Sequence, residues 1–356
     1  MKIKISDIAK HANVSAATVS NVINGTRPVG TKSRELVVQA MKELGYDFPS
    51  TAKKSKSGER KTIGVILTSL KRIFFHNVLY GIQMIADRYG YDVLLYTSED
   101  SFEKEKQFID KLVEYKVNGI IFHSLCPAGD AEYLTYLGGL AKKKGIPVVS
   151  LERNLTGLLI SSVYADNYAG ARLAVRHLVE CGAKRIACIR GPVGSAVAED
   201  RFAAYCDVLE EYGMKVDQNL VCQGDFFPIS GASAARRLLI NGLHPDAIFA
   251  CNDQMAIGTI NVLDEYGLRI PDDVKIAGYD NAFVSSIVSP QLTTVNVPKI
   301  RMGEEAFMLL LQLMNQIEGG DRDNLQVYLK ELPVDLVVRQ STSKEAKTMS
   351  WELEEW

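Results

Sequence analysis

The chain has 356 residues, 47% hydrophobic and 24% charged, enough apolar material for packed cores and a composition that excludes a largely disordered protein. Its net charge of −2 hides an asymmetry: up to residue 61, twelve Lys and Arg face five Asp and Glu, a surplus of +7 that leaves −9 for the remainder. No apolar run approaches the ~18 residues of a membrane span, and six scattered Cys with no CxxC pair give no pattern for a disulfide framework or a metal site.

The first 25 residues predict a helix, a tight turn and a second helix. Ser6 is the expected N-cap of a helix through Asp7–Ala12, and Asn13 suits the left-handed backbone of a sharp turn. Ser15 is the expected cap of the next helix, through Ala16–Ile23. Ile5, Ile8, Ala9, Ala12, Val14, Val19, Val22 and Ile23 recur at helical spacing and predict a small core. Ser15, Thr18, Ser20 and Asn21 are left facing outward, short enough for the helix to enter a DNA major groove. An ordinary helical hairpin is the alternative, but a basic surplus confined to this segment is the electrostatic footprint of phosphate binding.

Thr31 is the expected cap of a third helix over Lys32–Leu44, with Leu36, Val37, Ala40, Met41 and Leu44 as its apolar stripe and Gly45 as its stop. Residues 47–61 offer almost nothing to bury and five Lys or Arg, which reads as a linker with helix at most over 50–56. Apolar runs then recur at 62–67, 92–96, 119–123, 147–151, 185–190, 247–251 and 274–280, separated by helical segments. That alternation predicts parallel sheets with right-handed crossovers. The pattern restarts near residue 164, so two similar α/β lobes are expected, with a ligand site in the cleft beyond the strand ends.

These motifs in this order resemble the lactose-repressor/galactose-repressor family of bacterial transcription regulators, from about Ile3 to Ser341. The head carries SDIAKHANVSAATVSNVING and LGY at 44–46. The body carries IGVI at 63–66, Phe74-Phe75, Asp166-Asn167 with Gly170, and Arg201 to Tyr205 as RxxAY. The most specific stretches are CNDQMAIG at 251–258, GLRIPDDVKIAGYDN at 267–281 and LTTV at 292–295. The resemblance implies an all-α helix-turn-helix head followed by a periplasmic-binding-protein-like core of two doubly wound parallel-sheet lobes joined by three crossovers. It places the head at 1–46 and the hinge at 47–61. One lobe is expected at 62–163 plus 292–323, the other at 164–291 plus 324–341, and a disordered tail at 342–356. Both Trp of the chain lie in that tail.

The family likeness implies a cytoplasmic repressor, a homodimer on a palindromic operator under allosteric control by a small molecule, for which a sugar is the favoured identity. Expected DNA contacts are Ser6, Ser15, Ala16, Ala17, Thr18, Ser20, Asn21, Asn24, Lys53 and Lys54. Two departures stand out. Ala16 and Ala17 occupy positions where the family often has larger base readers, which leaves Asn21 as the strongest base-reading candidate. Ser55 stands where the family commonly wedges a leucine into the minor groove, and a serine cannot serve as an apolar wedge, so a weaker operator kink is expected.

By family position Phe74, Phe75, Arg201, Asn252 and Asp280 line the effector site. Arg201 offers a planar fork for two ligand oxygens, Asn252 can donate and accept at once, Asp280 accepts from hydroxyls, and the Phe rings can stack on an apolar face. Each has an alternative: lobe packing for the Phe pair, a surface salt bridge for Arg201, turn and cap chemistry for Asn252 and Asp280. Asp253 and the Glu152-Arg153 pair read as structural. A transport solute-binding protein would share the body but needs an export signal and would lack the basic head. An enzyme could use Asp280 and His123, yet no phosphate loop, nucleophile elbow or metal cluster is present, so no catalytic residues, cofactor or metal are expected.

Overall fold

The computed structural model describes residues 4–24, 31–44, 61–126 and 130–346. Residues up to Gly58 and residues from Glu59 onward form two units, each treated by itself.

The head unit contains α1 (Ile5–His11), α2 (Ala16–Asn24) and α3 (Thr31–Leu44). Helix α1 starts two residues earlier than expected, with Lys4 rather than Ser6 at the N-cap; the Asp7 carboxylate reaches back to accept the Lys4 amide at 2.8 Å. Ser6 is thereby placed inside the first turn, exposed. Asn13 takes the left-handed turn at φ 51°, and the Ser15 hydroxyl accepts from the Thr18 amide at 3.0 Å, capping α2. Ile8, Ala9, Ala12, Val19, Val37, Ala40 and Met41 form the core, with Ile5, Val14, Val22 and Leu44 packed against it. Leu36 departs from its expected place in the stripe and stands exposed.

The body consists of two six-stranded sheets. The N-terminal sheet contains β1 (Lys61–Leu67), β2 (Tyr91–Thr97), β3 (Gly119–His123), β4 (Val148–Leu151), β5 (Ser161–Ala165) and β11 (Leu329–Leu332), ordered β11-β5-β4-β3-β1-β2 and all parallel. The C-terminal sheet contains β6 (Ile186–Arg190), β7 (Val221–Gln223), β8 (Ala247–Ala250), β9 (Lys275–Asp280), β10 (Thr293–Asn296) and β12 (Asp335–Val337). Its order is β12-β10-β9-β8-β6-β7, with only the edge strand β12 antiparallel. Both orders are the same doubly wound pattern, with the switch point beside the first strand of each lobe.

Burial on both faces explains the strand sequences. In β1, Ile63, Val65 and Leu67 join one core cluster while Ile66 joins the cluster on the opposite face. Helices α4 (Phe74–Tyr89) and α12 (Lys299–Glu318) pack closely because Gly81 and Gly303 present no Cβ to the facing backbone. Gly231 and Gly258 do the same for α9 (Pro228–Ile240) and α10 (Asp253–Glu265) in the second lobe. Among the described residues no helix is long and apolar enough to cross a membrane.

The sheets correct two expected lobe segments. Strand β10 pairs with β9, so 293–296 belongs to the C-terminal lobe rather than the N-terminal one. Strand β11 pairs with β5, so 329–332 belongs to the N-terminal lobe, and the chain returns to the C-terminal lobe at β12. The crossings therefore follow β5, β10 and β11. The expectations for Gly45, the linker with Lys53, Lys54 and Ser55, and the tail beyond residue 346 lie outside the described residues.

Candidate functional site

The carboxyl ends of strands from both lobes converge on a narrow cavity. Arg72, Phe74, Phe75, His123 and Glu152 line it from the N-terminal lobe; Ser195, Val197, Arg201, Phe226, Asn252, Gln254 and Asp280 line it from the other. All five residues proposed from sequence are thus brought to one place.

Arg201 lies on α8 (Ala196–Glu211), and its guanidinium is buried rather than paired at the surface. Its Nε donates to Asn167 Oδ1 at 2.9 Å and Nη1 to the Cys251 carbonyl at 2.6 Å, while Nη2 lies 3.2 Å from Asp280 Oδ1. The head group also stacks 3.6 Å from the centroid of the Tyr279 ring. Asp280 ends β9 with φ 106°, and the next residue, Asn281, is at φ 47°. The Lys299 ammonium holds this strained corner by donating to the carbonyls of Asp280, Asn281 and Val297.

Burial pushes the Asp280 carboxyl up to about 6; Arg201 pulls against that shift and the Glu152 carboxylate adds to it. Behind it, Asp253 accepts from the Ala282 amide at 2.7 Å and the Thr294 hydroxyl at 2.6 Å, the structural role expected. Burial, with repulsion from Asp280, raises Asp253 to about 7.

Asn252 does what its alternative reading said. Its Oδ1 caps α10 by accepting from the Met255 amide at 2.9 Å, and its Nδ2 donates to the Phe226 carbonyl at 3.0 Å. One donor hydrogen and one lone pair remain for anything else. On the facing side Phe75 meets Phe74 edge-to-face at 5.3 Å and His123 at 5.2 Å, and His123 Nε2 lies 3.4 Å from Glu152 Oε2. Glu152, read as structural from sequence, lines the cavity with its own backbone at φ 59°. Its neighbour Arg153 is indeed structural, donating to the Cys126 carbonyl at 2.6 Å. Arg72 Nε and His123 Nδ1 are buried without a hydrogen-bond partner, which leaves hydrogen-bonding capacity beside the cavity.

In the head, Ser15, Ala16 and Ala17 are exposed at the start of α2, and Thr18 and Ser20 are half-buried. Ser15 Oγ and Thr18 Oγ1 lie 2.8 Å apart, so the two hydroxyls share one hydrogen bond. Asn21 and Asn24 fall on the last turns of α2; their side chains lie outside the described part.

The profile described as "Bacterial regulatory proteins, lacI family" matches residues 4–48, and that of a periplasmic binding protein-like domain matches 175–342. The HTH-type transcriptional repressor PurR of Pasteurella multocida is 33% identical over 338 residues, covering 95% of this chain and 98% of that protein. The chain belongs to the lacI family. The ribose operon repressor of Halalkalibacterium halodurans is 36% identical over 339 residues, covering 95% of this chain and 96% of that protein. Among solved structures, the lac repressor dimer bound to operator and the anti-inducer ONPF superposes with a TM-score of 0.69 at 30% identity, covering 96% of this chain and 99% of that one. The complex of transcriptional regulator CelR with cellobiose gives 0.67 at 30% identity, covering 95% and 99%.

For this lacI-family chain, sequence reasoning missed Arg72, Ser195, Val197, Phe226 and Gln254 at the cavity and set aside His123 and Glu152. Ser195 and Phe226 lie in the loops that follow β6 and β7, and Ser195, as the N-cap of α8, could have been found by testing helix caps in loops after strands. Phe226 was hidden because β7 is only three residues long.

Proposed function

We propose that this chain is a transcriptional repressor that binds a palindromic operator as a homodimer and is switched by a small neutral sugar held in the cavity between its lobes. The observation that carries this reading is the cavity itself: residues of two lobes close around it, in the same chain as a helix-turn-helix head with a basic surplus. Three Phe rings suit the apolar face of a pyranose or furanose. Asp280 and Glu152 supply acceptors for hydroxyls, and Arg72 supplies a donor. The charges at the cavity are nearly balanced, Arg201 against Asp280 and Arg72 against Asp100, which favours an uncharged ligand. The names of the ribose operon repressor and of the CelR–cellobiose complex support the same class.

Dimerisation draws support from the second lobe, where Ile229 on α9 and Ile287 on α11 (Val284–Ile287) stand 80% and 57% exposed on helices that both pack on α10. DNA contacts are assigned to the exposed start of α2, with Ser6, Asn21, Asn24, Lys53 and Lys54 as further contacts. A differential affinity of the sugar for the DNA-free and DNA-bound forms supplies the switch. Action on DNA places the protein in the cytoplasm.

Selection of genomic DNA fragments by the purified protein at near-physiological salt tests the reading. An enriched inverted repeat, released or tightened by one member of a monosaccharide and disaccharide panel, is the expected result. Enrichment of a single unrepeated half-site would overturn the homodimer. A repeat that responds to nucleobases and to no sugar would overturn the effector class.

A further inference from the structure

Helix α4 begins at the cavity wall without a side-chain cap from its own lobe, its Phe75 and His76 amides donating to the carbonyls of Arg72 and Ile73. Lys71, Arg72 and Ile73 lead into it, and Ile73, at the N-cap position, makes no side-chain cap. A helix start leaves its first N–H groups without partners inside the helix. The Ile73 amide finds one in the other lobe, donating to Oε1 of Gln254 at 2.9 Å. The same Gln254 amide donates through Nε2 to the Lys71 carbonyl at 3.2 Å. Gln254 sits in the first turn of α10, 181 residues further along the chain from Ile73, and is 8% exposed. A primary amide can accept from one backbone group and donate to another two residues away, which a carboxylate or an ammonium cannot do at once. Between the two bonds, Arg72 is fixed to its own lobe by Asp100 at 2.8 Å and Thr68 Oγ1 at 3.3 Å, while its guanidinium lies 5.2 Å from the Phe226 ring centroid and 5.9 Å from that of Phe227.

We propose that Gln254 is a positioning residue that caps α4 across the cleft, so that closure of the lobes and ordering of the α4 start are a single event. The first turn of α4 carries Phe74 and Phe75, both on the cavity wall. Parting the lobes removes the cap that Gln254 gives the Ile73 amide and loosens the turn that presents both rings; closing them restores the turn. Effector affinity then depends on Gln254 even where the ligand never touches it. That consequence rests on reading the cavity as the effector site, whereas the capping itself does not.

Site-resolved hydrogen exchange of the full chain, with no small molecule added, tests the cap by comparing the Ile73 amide in the wild type, Gln254→Leu and Gln254→Glu. The wild-type amide is expected to be protected, and in Gln254→Leu to exchange about tenfold faster, as loss of one buried hydrogen bond implies. Gln254→Glu keeps an acceptor for Ile73 and loses only the donor to Lys71, so most of the protection should remain. Amides of β8 and β9 should be unchanged in both variants, which separates a lost cap from a loosened lobe. A wild-type Ile73 amide as fast as an unstructured one, or equal protection in Gln254→Leu, overturns the proposal. If Gln254→Leu does not fold, an unprotected Ile73 amide in a folded Gln254→Glu overturns it equally. Failure of every sugar to bind would remove the effector reading and leave the exchange result standing.

Discussion

On its C-terminal side the cavity is lined by Arg201, Asn252 and Asp280, whose polar atoms are largely engaged by Asn167, Cys251, Met255, Phe226 and one another. On its N-terminal side Phe74, Phe75, His123 and Glu152 meet through ring edges and one 3.4 Å contact between His123 and Glu152. The first arrangement fixes each group through buried hydrogen bonds and so contributes to the stability of its lobe. The second fixes its groups by shape, and a polar exchange there disturbs few partners. On the proposed reading, a ligand meets a rigid C-terminal rack on one side and, on the other, a His123–Glu152 corner whose polarity can be altered at little cost.

The sharpest way to break this contrast is Arg201→Met. It leaves Asp280 buried without its cation and the Asn167 and Cys251 oxygens without their donor, and should cost about 3–5 kcal/mol of unfolding free energy. Urea denaturation of the body measures it; a loss below about 1 kcal/mol would mean that the rack is not load-sharing as described. Next comes pH. Asp253 and Asp280 have folded-state values raised to about 7 and about 6 by burial, above the unfolded range near 4. Between pH 4 and 7 the folded state therefore holds more protons than the unfolded state, and stability falls as pH rises through that window. Below pH 4 both states are protonated and the penalty vanishes. Asp253, raised further, carries the larger share of the fall, so Asp253→Asn should flatten most of it. A wild-type profile level from pH 4 to 7 would remove the buried pair from the account.

Much of the fold was legible because a strand buried on both faces leaves a continuous apolar run, as in 63–67 and 119–123. Strands β5, β7, β10, β11 and β12 were not: they are three to five residues long and either open on Ser or Thr pairs or are partly exposed, so neither run length nor alternation marks them. The lobe assignment failed at 293–296 and 329–332 for a related reason. Which sheet a strand joins is decided by where the chain crosses between lobes, and nothing inside Thr293–Asn296 or Leu329–Leu332 encodes that. At the site, residue types at strand ends located Arg201, Asn252 and Asp280, but not how far the protein already uses them. Asn252 reads equally well as a ligand group or a helix cap until Phe226, 26 residues away, is seen to take its donor.

That residue gives the third test of the contrast. Asn252→Ala removes the α10 cap and the bond to the Phe226 carbonyl, and should cost about 1–2 kcal/mol by thermal or urea unfolding. A side chain held mainly for ligand would show no such loss in protein without added sugar.

Glu152→Gln carries the smallest expected effect on stability and the most direct reading of the N-terminal wall. The amide keeps the volume and an acceptor oxygen opposite His123 Nε2, and removes the charge that adds to burial in holding the Asp280 carboxyl up. Stability should change by less than about 1 kcal/mol, because only one long contact is altered. Asp280 should ionise at lower pH once that repulsion is gone, so its share of the fall of stability with pH should become smaller and end at lower pH, while that of Asp253 remains. Affinity for the effector, measured by titration, should fall by about tenfold if Glu152 accepts from a ligand hydroxyl, as loss of one charged hydrogen bond implies. A stability loss as large as that of Arg201→Met would show that both walls are racks, and the division of labour between them would not hold.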